Sequence, residues 1–367
     1  MKIRTKKDIL GKTLQSLQGL ADRKNTMPIL SNVKLECKEN TMNLYATDLE
    51  VSLIRTIPVE IIETGETTVS SRKLFEIVKE LPDKEILISC DENYMLSIEC
   101  DNIFFKIKGL PCDEFPTFPS YQDVTFQPVK TETIKEMIEK TFYSISTEDI
   151  QYNLSGIFIE KLMDAKTRFV ATDGHRLSMI DRDIEIGFLG EDGIIVPRKG
   201  IQEMRKILQD IEDEVNLSIK DNQLIVTHEN FVMFIRLIDA IFPNYREVVP
   251  ESNPIKIKIN RSQFLNSLKR ASIVSLDKFR GVKFELEENT LLITSSNPDI
   301  GESEEKLEIN YDGELLKVSF NAKYFIDVLS NLTSDQIILE LNDDSSPAIL
   351  KDAEDSYFSA VIMPMRI

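Results

Sequence analysis

Apolar residues fall at helical spacing in six stretches of this chain and at alternating spacing over much of the rest. Along residues 131–142, Ile134, Met137, Ile138 and Phe142 share one helical face. Ile201, Met204, Leu208 and Ile211 do so from residue 198 onward, as do Phe325, Val328, Leu329 and Leu332 along 322–332. Residues 7–20, 72–81 and 261–273 complete six predicted helices. Strands show the two-residue period: Ile103, Phe105 and Ile107 alternate with Phe104, Lys106 and Lys108, which puts the first three on one face. Together these patterns predict an α+β fold with helices packed on antiparallel sheet.

The pattern recurs. "TVSSRKLFEIVKELPDKEILISCDENYMLSI" (68–98), "IIVPRKGIQEMRKILQDIEDEVNLSIKDNQLIV" (194–226) and "VSFNAKYFIDVLSNLTSDQIILELNDD" (318–344) each read strand, helix, strand, turn, strand. A helix and alternating strands precede each, with turns at Asn40, Asp164 and Glu288-Asn289. Thr47-Asp48 and Thr172-Asp173 lie 125 residues apart, and Lys73, Lys199 and Lys323 are separated by 126 and 124. The chain therefore reads as three copies of a unit of about 120 residues, each with two helices. Polar stretches near 120–127 and 249–256 set the expected domains at 1–122, 123–250 and 251–367.

Charge changes the picture only through its distribution. The net charge of −18 opposes a simple nucleic-acid binder. Yet the six helical stretches together carry +7, which leaves −25 for the rest. Helices lining one common surface would make it basic on an acidic body, as contact with a duplex requires. The helices at 131–142 and 322–332 do not share the bias. No helix-turn-helix, zinc-finger or aromatic RNA-binding motif occurs, so any contact would be with phosphates and independent of base sequence. The longest apolar stretch, "FVMFIRLIDAIF" (231–242), is broken by Arg236 and Asp239, and the N-terminus does not read as a signal peptide. A cytoplasmic protein with no membrane role is expected. Cys37, Cys90, Cys100 and Cys112 form no CxxC pair and have no nearby histidine, so no metal and no cofactor is expected.

The stretch "ATDGHRLSM" (171–179) holds one of the two histidines. Asp173 beside His175 suits acid–base chemistry, and a hydrolase is one reading. The chain carries no G-x-S-x-G, P-loop or G-x-G-x-x-G to accompany it. The first copy has "ATDLEVSL" (46–53), with Glu50 at the position of His175, so Thr-Asp belongs to the turn of the repeat. A non-enzymatic binding protein is the stronger reading, and a protein-binding scaffold without DNA is a third.

In order along the chain, "MPILSNV", "ATDLEVSL", "ATDGHRLS", "VPRKG", "FPNYREVVP", "KFRGV" and "VIMPMRI" resemble the bacterial sliding clamps, the beta subunit of DNA polymerase III, over all 367 residues. The resemblance implies a DNA-clamp fold and a ring-shaped head-to-tail homodimer. Two chains of three domains would give the inner wall twelve helices. At about 8–10 Å between axes, that wall is roughly 100–120 Å around, wide enough for a duplex. It implies a non-catalytic processivity factor linked to double-stranded DNA by topology. It also implies a pocket between the second and third domains. That pocket takes short linear peptides from the replicative polymerase alpha subunit, clamp-loader subunits, translesion polymerases and repair proteins.

Matching positions for the pocket are Leu154, Thr172, Gly174, His175, Arg176, Leu177, Pro243, Arg246, Val248, Val361, Met363, Pro364, Met365 and Arg366. Methionines adapt to varied ligands, and His175 and Arg176 would orient a peptide in an apolar setting. For the dimer contact, Phe105 and Ile107 match against Ile273 and Val274, and Lys73, Lys106 and Lys108 against Glu302, Glu304 and Glu305. DNA-facing candidates are Lys24, Tyr152, Arg198, Lys199, Arg205, Lys206, Lys269 and Arg270. "SSNPDIGESEE" departs from "TDGHRL", so no further pocket is expected in the third copy.

Overall fold

The structure, a computed structural model, describes residues 1–21, 27–148, 151–275 and 281–366. Six α-helices lie among them, one for each predicted stretch: α1 (Lys7–Leu17), α2 (Ser71–Glu80), α3 (Thr131–Glu139), α4 (Arg198–Leu208), α5 (Arg261–Ala271) and α6 (Ala322–Ser330). The chain divides into two compact units. The first is Met1–Glu132 with Lys199–Leu237, and the second is Thr133–Arg198 with Ile238–Ile367. The middle third of the sequence thus contributes to both.

The first unit is built on a 13-stranded sheet. In it Val51–Pro58, from the first repeat, pairs antiparallel with Phe231–Arg236, from the second. α1 and α2 pack together, burying Leu10, Leu14, Leu17, Leu74 and Val78. Gly200 of the "VPRKG" motif meets the sheet so closely that a Cβ there would stand 2.2 Å from Ile235 Cγ2. Only glycine allows that approach.

The second unit holds an 8-stranded and a 4-stranded sheet. In the larger, Arg176–Arg182 of the second repeat pairs with Phe358–Ile362 of the third. Asn260 and Asn321 cap α5 and α6, accepting from the amides of Gln263 (3.0 Å) and Lys323 (2.9 Å). The rings of Phe264, Phe284, Phe320 and Phe325 meet at 5.2–5.9 Å beneath these helices. The predicted turns are where the pattern puts them: Asn40, Asp164 and Asn289 all have φ near +60°. Short polar residues reach that region at least cost.

One strand is left open. In Ile103–Leu110, Phe105 is 39% exposed and Phe104 60%, with Ile103 and Ile107 half-buried. The strand pairs with Met95–Cys100 on one side, but on the other, among the described residues, only Gly109 and Leu110 find partners. Residues 103–108 are therefore an open, largely uncovered edge, and alternation there does not report a core.

Candidate functional site

Side chain-to-backbone hydrogen bonds build the turn at Thr172–Arg176. Thr172 Oγ1 donates to the Arg176 carbonyl (2.6 Å) and accepts from the Gly174 amide (3.1 Å). Asp173 Oδ1 accepts from the amides of His175 and Arg176, both at 3.0 Å. Such bonds let Asp and Thr define a tight turn without help from the rest of the fold. Gly174 takes the left-handed position, with φ of +84°. The first repeat does the same: Thr47 Oγ1 bonds Val51 O and Leu49 N, and Asp48 Oδ1 accepts from Glu50 N and Val51 N. The Thr-Asp pair is thus a turn device in both copies.

This geometry bears on the acid–base reading. Asp173 gives one carboxylate oxygen to two backbone amides and the other to Arg176 Nε (3.0 Å). Neither oxygen is engaged by the His175 imidazole, so an Asp–His dyad finds no support.

Arg176 is buried, with only 8% of its side chain exposed. Its guanidinium reaches Asp173, Asp327 Oδ2 (2.6 Å) on α6 and the Tyr143 carbonyl. It lies 4.7 Å from the centre of the Tyr324 ring. The expectation that Arg176 offers its charge to a ligand is corrected here: the charge is spent inside the second unit.

What faces outward is apolar. A cleft of about 130 Å³ lies in the second unit, walled by Leu154, Thr172, Gly174, Arg176, Leu177, Pro243, Asn244, Tyr245, Val248, Val361 and Met363. Its floor is a buried cluster of Leu154, Phe158, Val170, Leu177, Phe242, Tyr245 and Val361. Phe158 and Phe242 stack at 4.7 Å with 6° between planes. The three sequence segments that meet there are the Thr-Asp hairpin, the "FPNYREVV" linker and the last strand, where Leu177 pairs with Val361. The tail is held against the hairpin by Met363 N donating to His175 O (2.9 Å).

Nine of the fourteen predicted pocket residues wall this cleft. His175 is exposed and lines a neighbouring polar cleft of about 520 Å³ with Tyr324, Lys323 and Asp327. Arg246 is turned to Glu160, at 2.7 and 2.8 Å, and lies over the Tyr245 ring. Pro364, Met365 and Arg366 do not line the cleft, and Met365 N donates to Ser319 O (2.7 Å). Asn244 and Tyr245 were missed, although "FPNY" carries the aromatic spacing that marks them. Tyr245 bonds Glu160, and burial pushes its hydroxyl up to about 12.

The other candidates are scattered in character. Lys24 lies outside the described residues. Tyr152 is 61% exposed and Lys269 is exposed, whereas Arg198 lies over the Phe142 ring and Arg205 is half-buried. Lys199 is paired with Asp48, Lys206 with Glu203 (2.7 Å) and Arg270 with Glu305. Part of the positive charge counted on the helices is therefore balanced locally. Ile273 is 73% exposed, while Ile107 and Val274 are half-buried. Glu302 and Glu304 are exposed, but Glu305 is taken by Arg270 and Lys73 by Glu76 (2.7 Å). Among the described residues, no helix is long and apolar enough to cross a membrane, and no His, Cys, Asp and Glu group could hold a metal.

Comparison with known proteins places this geometry in context. Models of the N-terminal, central and C-terminal domains of the DNA polymerase III beta subunit match residues 1–119, 128–244 and 246–366. The beta sliding clamp of Vibrio cholerae is 33% identical over 369 residues, with both chains fully covered. The crystal structure of the DNA polymerase III subunit beta from Pseudomonas aeruginosa superposes with a TM-score of 0.94 at 32% identity, again over the whole of both chains. A sliding clamp from Bartonella birtlesii, solved bound to griselimycin, gives 0.95 at 33% with the same coverage.

Proposed function

The chain belongs to the DNA polymerase III beta-subunit family, the bacterial sliding clamps, and on that premise we propose how it works. It acts as the sliding clamp of the replicative DNA polymerase, an accessory subunit that catalyses no reaction itself. Two copies of the 42.1 kDa chain close head to tail around duplex DNA. The three repeats are its three domains, with limits near 1–122, 123–250 and 251–367. Retention on DNA is topological, so weak phosphate contacts suffice and base sequence is not read.

Two open strand edges suit the closure. Among the described residues, Ile103–Lys108 lacks a partner on one side, and Gly301–Glu308 ends the 4-stranded sheet. The first carries Lys106 and Lys108, the second Glu302, Glu304 and Glu308, a complementary pair for an antiparallel join between copies.

The apolar cleft is where polymerases, clamp loader and repair proteins dock through short peptides. The observation that carries this is an apolar depression on a hairpin, a linker and a final strand, with Met363 at its rim. A buried apolar anchor in such a depression, surrounded by polar contacts, is how small interfaces concentrate their affinity. The test is retention on nicked circular DNA. The loaded protein stays bound at high salt on the circle and is lost once the DNA is linearised. Equal loss from both forms would mean ordinary electrostatic binding and would end the clamp reading.

A further inference from the structure

An apolar cleft with an arginine in its wall depends on where that charge is sent. The stem of Arg176 lines the cleft, and its guanidinium is drawn behind the wall. Two carboxylates draw it. Asp173 belongs to the same hairpin and is already committed to the amides of His175 and Arg176. Asp327 comes from α6, 151 residues away in sequence, and does not line the cleft. Its Oδ2 accepts from Arg176 Nη1 at 2.6 Å and from Lys323 Nζ at 2.9 Å. Among the described residues, Asp327 is the carboxylate that ties this guanidinium to another element.

We propose that Asp327 is the specificity-determining positioning residue of the cleft: by holding the Arg176 guanidinium toward α6, it keeps the cleft apolar and selects peptides with an aliphatic anchor over acidic ones. The proposal rests on the peptide-docking reading above. A buried guanidinium that loses one of its two counter-charges must find another. Arg176 lines both this cleft and the polar cleft beside it, so a guanidinium released from Asp327 is within reach of an anion that a bound peptide brings to the apolar wall. Asp327 lies outside the apolar cleft, in the wall of the polar one, and acts on the anchor through Arg176, so its removal alters discrimination more than overall affinity.

The experiment compares two short synthetic peptides, identical except for Leu or Glu at the anchor, by fluorescence anisotropy on the full-length protein. Wild type prefers the Leu peptide. Asp327→Asn keeps the shape and removes the charge. It should narrow that preference by roughly tenfold, chiefly by tightening the Glu peptide. Asp327→Glu should restore the preference. Lys323→Met changes an exposed residue and leaves Asp327 wholly to Arg176, so it should hold or widen the preference. If Asp327→Asn weakens both peptides alike, or Lys323→Met acts like Asp327→Asn, the positioning role is wrong while docking stands. If wild type binds neither peptide, the docking reading itself falls and the proposal with it.

Discussion

In the first unit Val51–Pro58 lies beside Phe231–Arg236, and in the second Arg176–Arg182 lies beside Phe358–Ile362. The register is the same. Val51 faces Ile235 as Arg176 faces Ile362, and Ser52 faces Phe234 as Leu177 faces Val361. The linkers correspond as well, "FPTFPSY" (115–121) to "FPNYREV" (242–248), which sets Phe118 against Tyr245 and Tyr121 against Val248. The side chains differ. In the first unit Phe118, Tyr121 and Phe234 meet ring to ring, at 6.2 and 5.9 Å. In the second, Val248 and Val361 stand at the matching places and a cleft remains. A repeat that buries its own junction in one copy leaves an apolar cleft in the next by making two positions smaller.

If the rings fill the first junction, removing the central one should cost most. Phe234 is 1% exposed, and Phe234→Ala should lose about 3–5 kcal/mol, seen as a large drop in urea midpoint. A loss below about 1 kcal/mol would mean that the rings are not packed as one cluster. The converse change closes the second junction. Val361→Phe should place a ring in the cleft of about 130 Å³ and weaken an apolar-anchored peptide roughly a hundredfold, about 2.7 kcal/mol, with the fold kept by circular dichroism. Undiminished binding would show that peptides dock elsewhere.

This contrast was half legible in the sequence. The six helices, the turns and the three-fold repeat follow from local periodicity, which neighbouring residues enforce. The turn at Thr172–Arg176 was legible for the same reason, since its bonds span at most four residues. The partners of Arg176 were not, because Tyr143 and Asp327 meet it only through the fold. Nor did a charge count along helices foresee Lys199 against Asp48 or Arg270 against Glu305. Alternation at Ile103–Lys108 reads the same whether or not anything covers the strand, so only the resemblance, which puts Phe105 and Ile107 in a dimer contact, pointed to its open edge.

The two junctions should also part in acid. Arg182 of the second unit occupies the place of buried Ile57 in the first, as the pairs Thr167–Arg182 and Met42–Ile57 show. Arg182 binds Glu136 and Asp355, and Lys140 joins both. Hydrogen bonding to Arg182 holds the Glu136 carboxyl below its usual range. Burial alone would raise Asp355, but bonds from Arg182 and Lys140 outweigh it and lower it. Carboxylates depressed in the folded state stabilise it above about pH 4, and that stability is lost as pH falls through their folded values. Amide protection, referred to the intrinsic exchange rate at each pH, should therefore fall more in the second unit than in the first on going to pH 3. With Glu136 partly open to solvent, the effect is about 1 kcal/mol. Arg182→Met should remove the difference, and an equal loss of protection in both units without the mutation would sink this account.

The smallest effect lies in the turns themselves. The two share one hydrogen-bond scheme, yet the left-handed position is Gly174 in one and Leu49 in the other, with φ of +84° and +77°. A Cβ at Gly174 would meet nothing nearer than Gln151 Nε2 at 4.0 Å, so space does not require glycine there. Backbone preference remains, and Gly174→Ala should cost about 1 kcal/mol. Leu49 is 52% exposed, so Leu49→Gly gives up little packing and relieves the same left-handed strain. Against that stands the greater freedom glycine gives the unfolded chain, of about 0.4–1 kcal/mol. The net gain should be a few tenths of a kcal/mol, read as a small rise in melting temperature. A clear loss instead would mean that the Leu49 side chain packs in a way its exposure hides, and that the two turns are alike only in their hydrogen bonds.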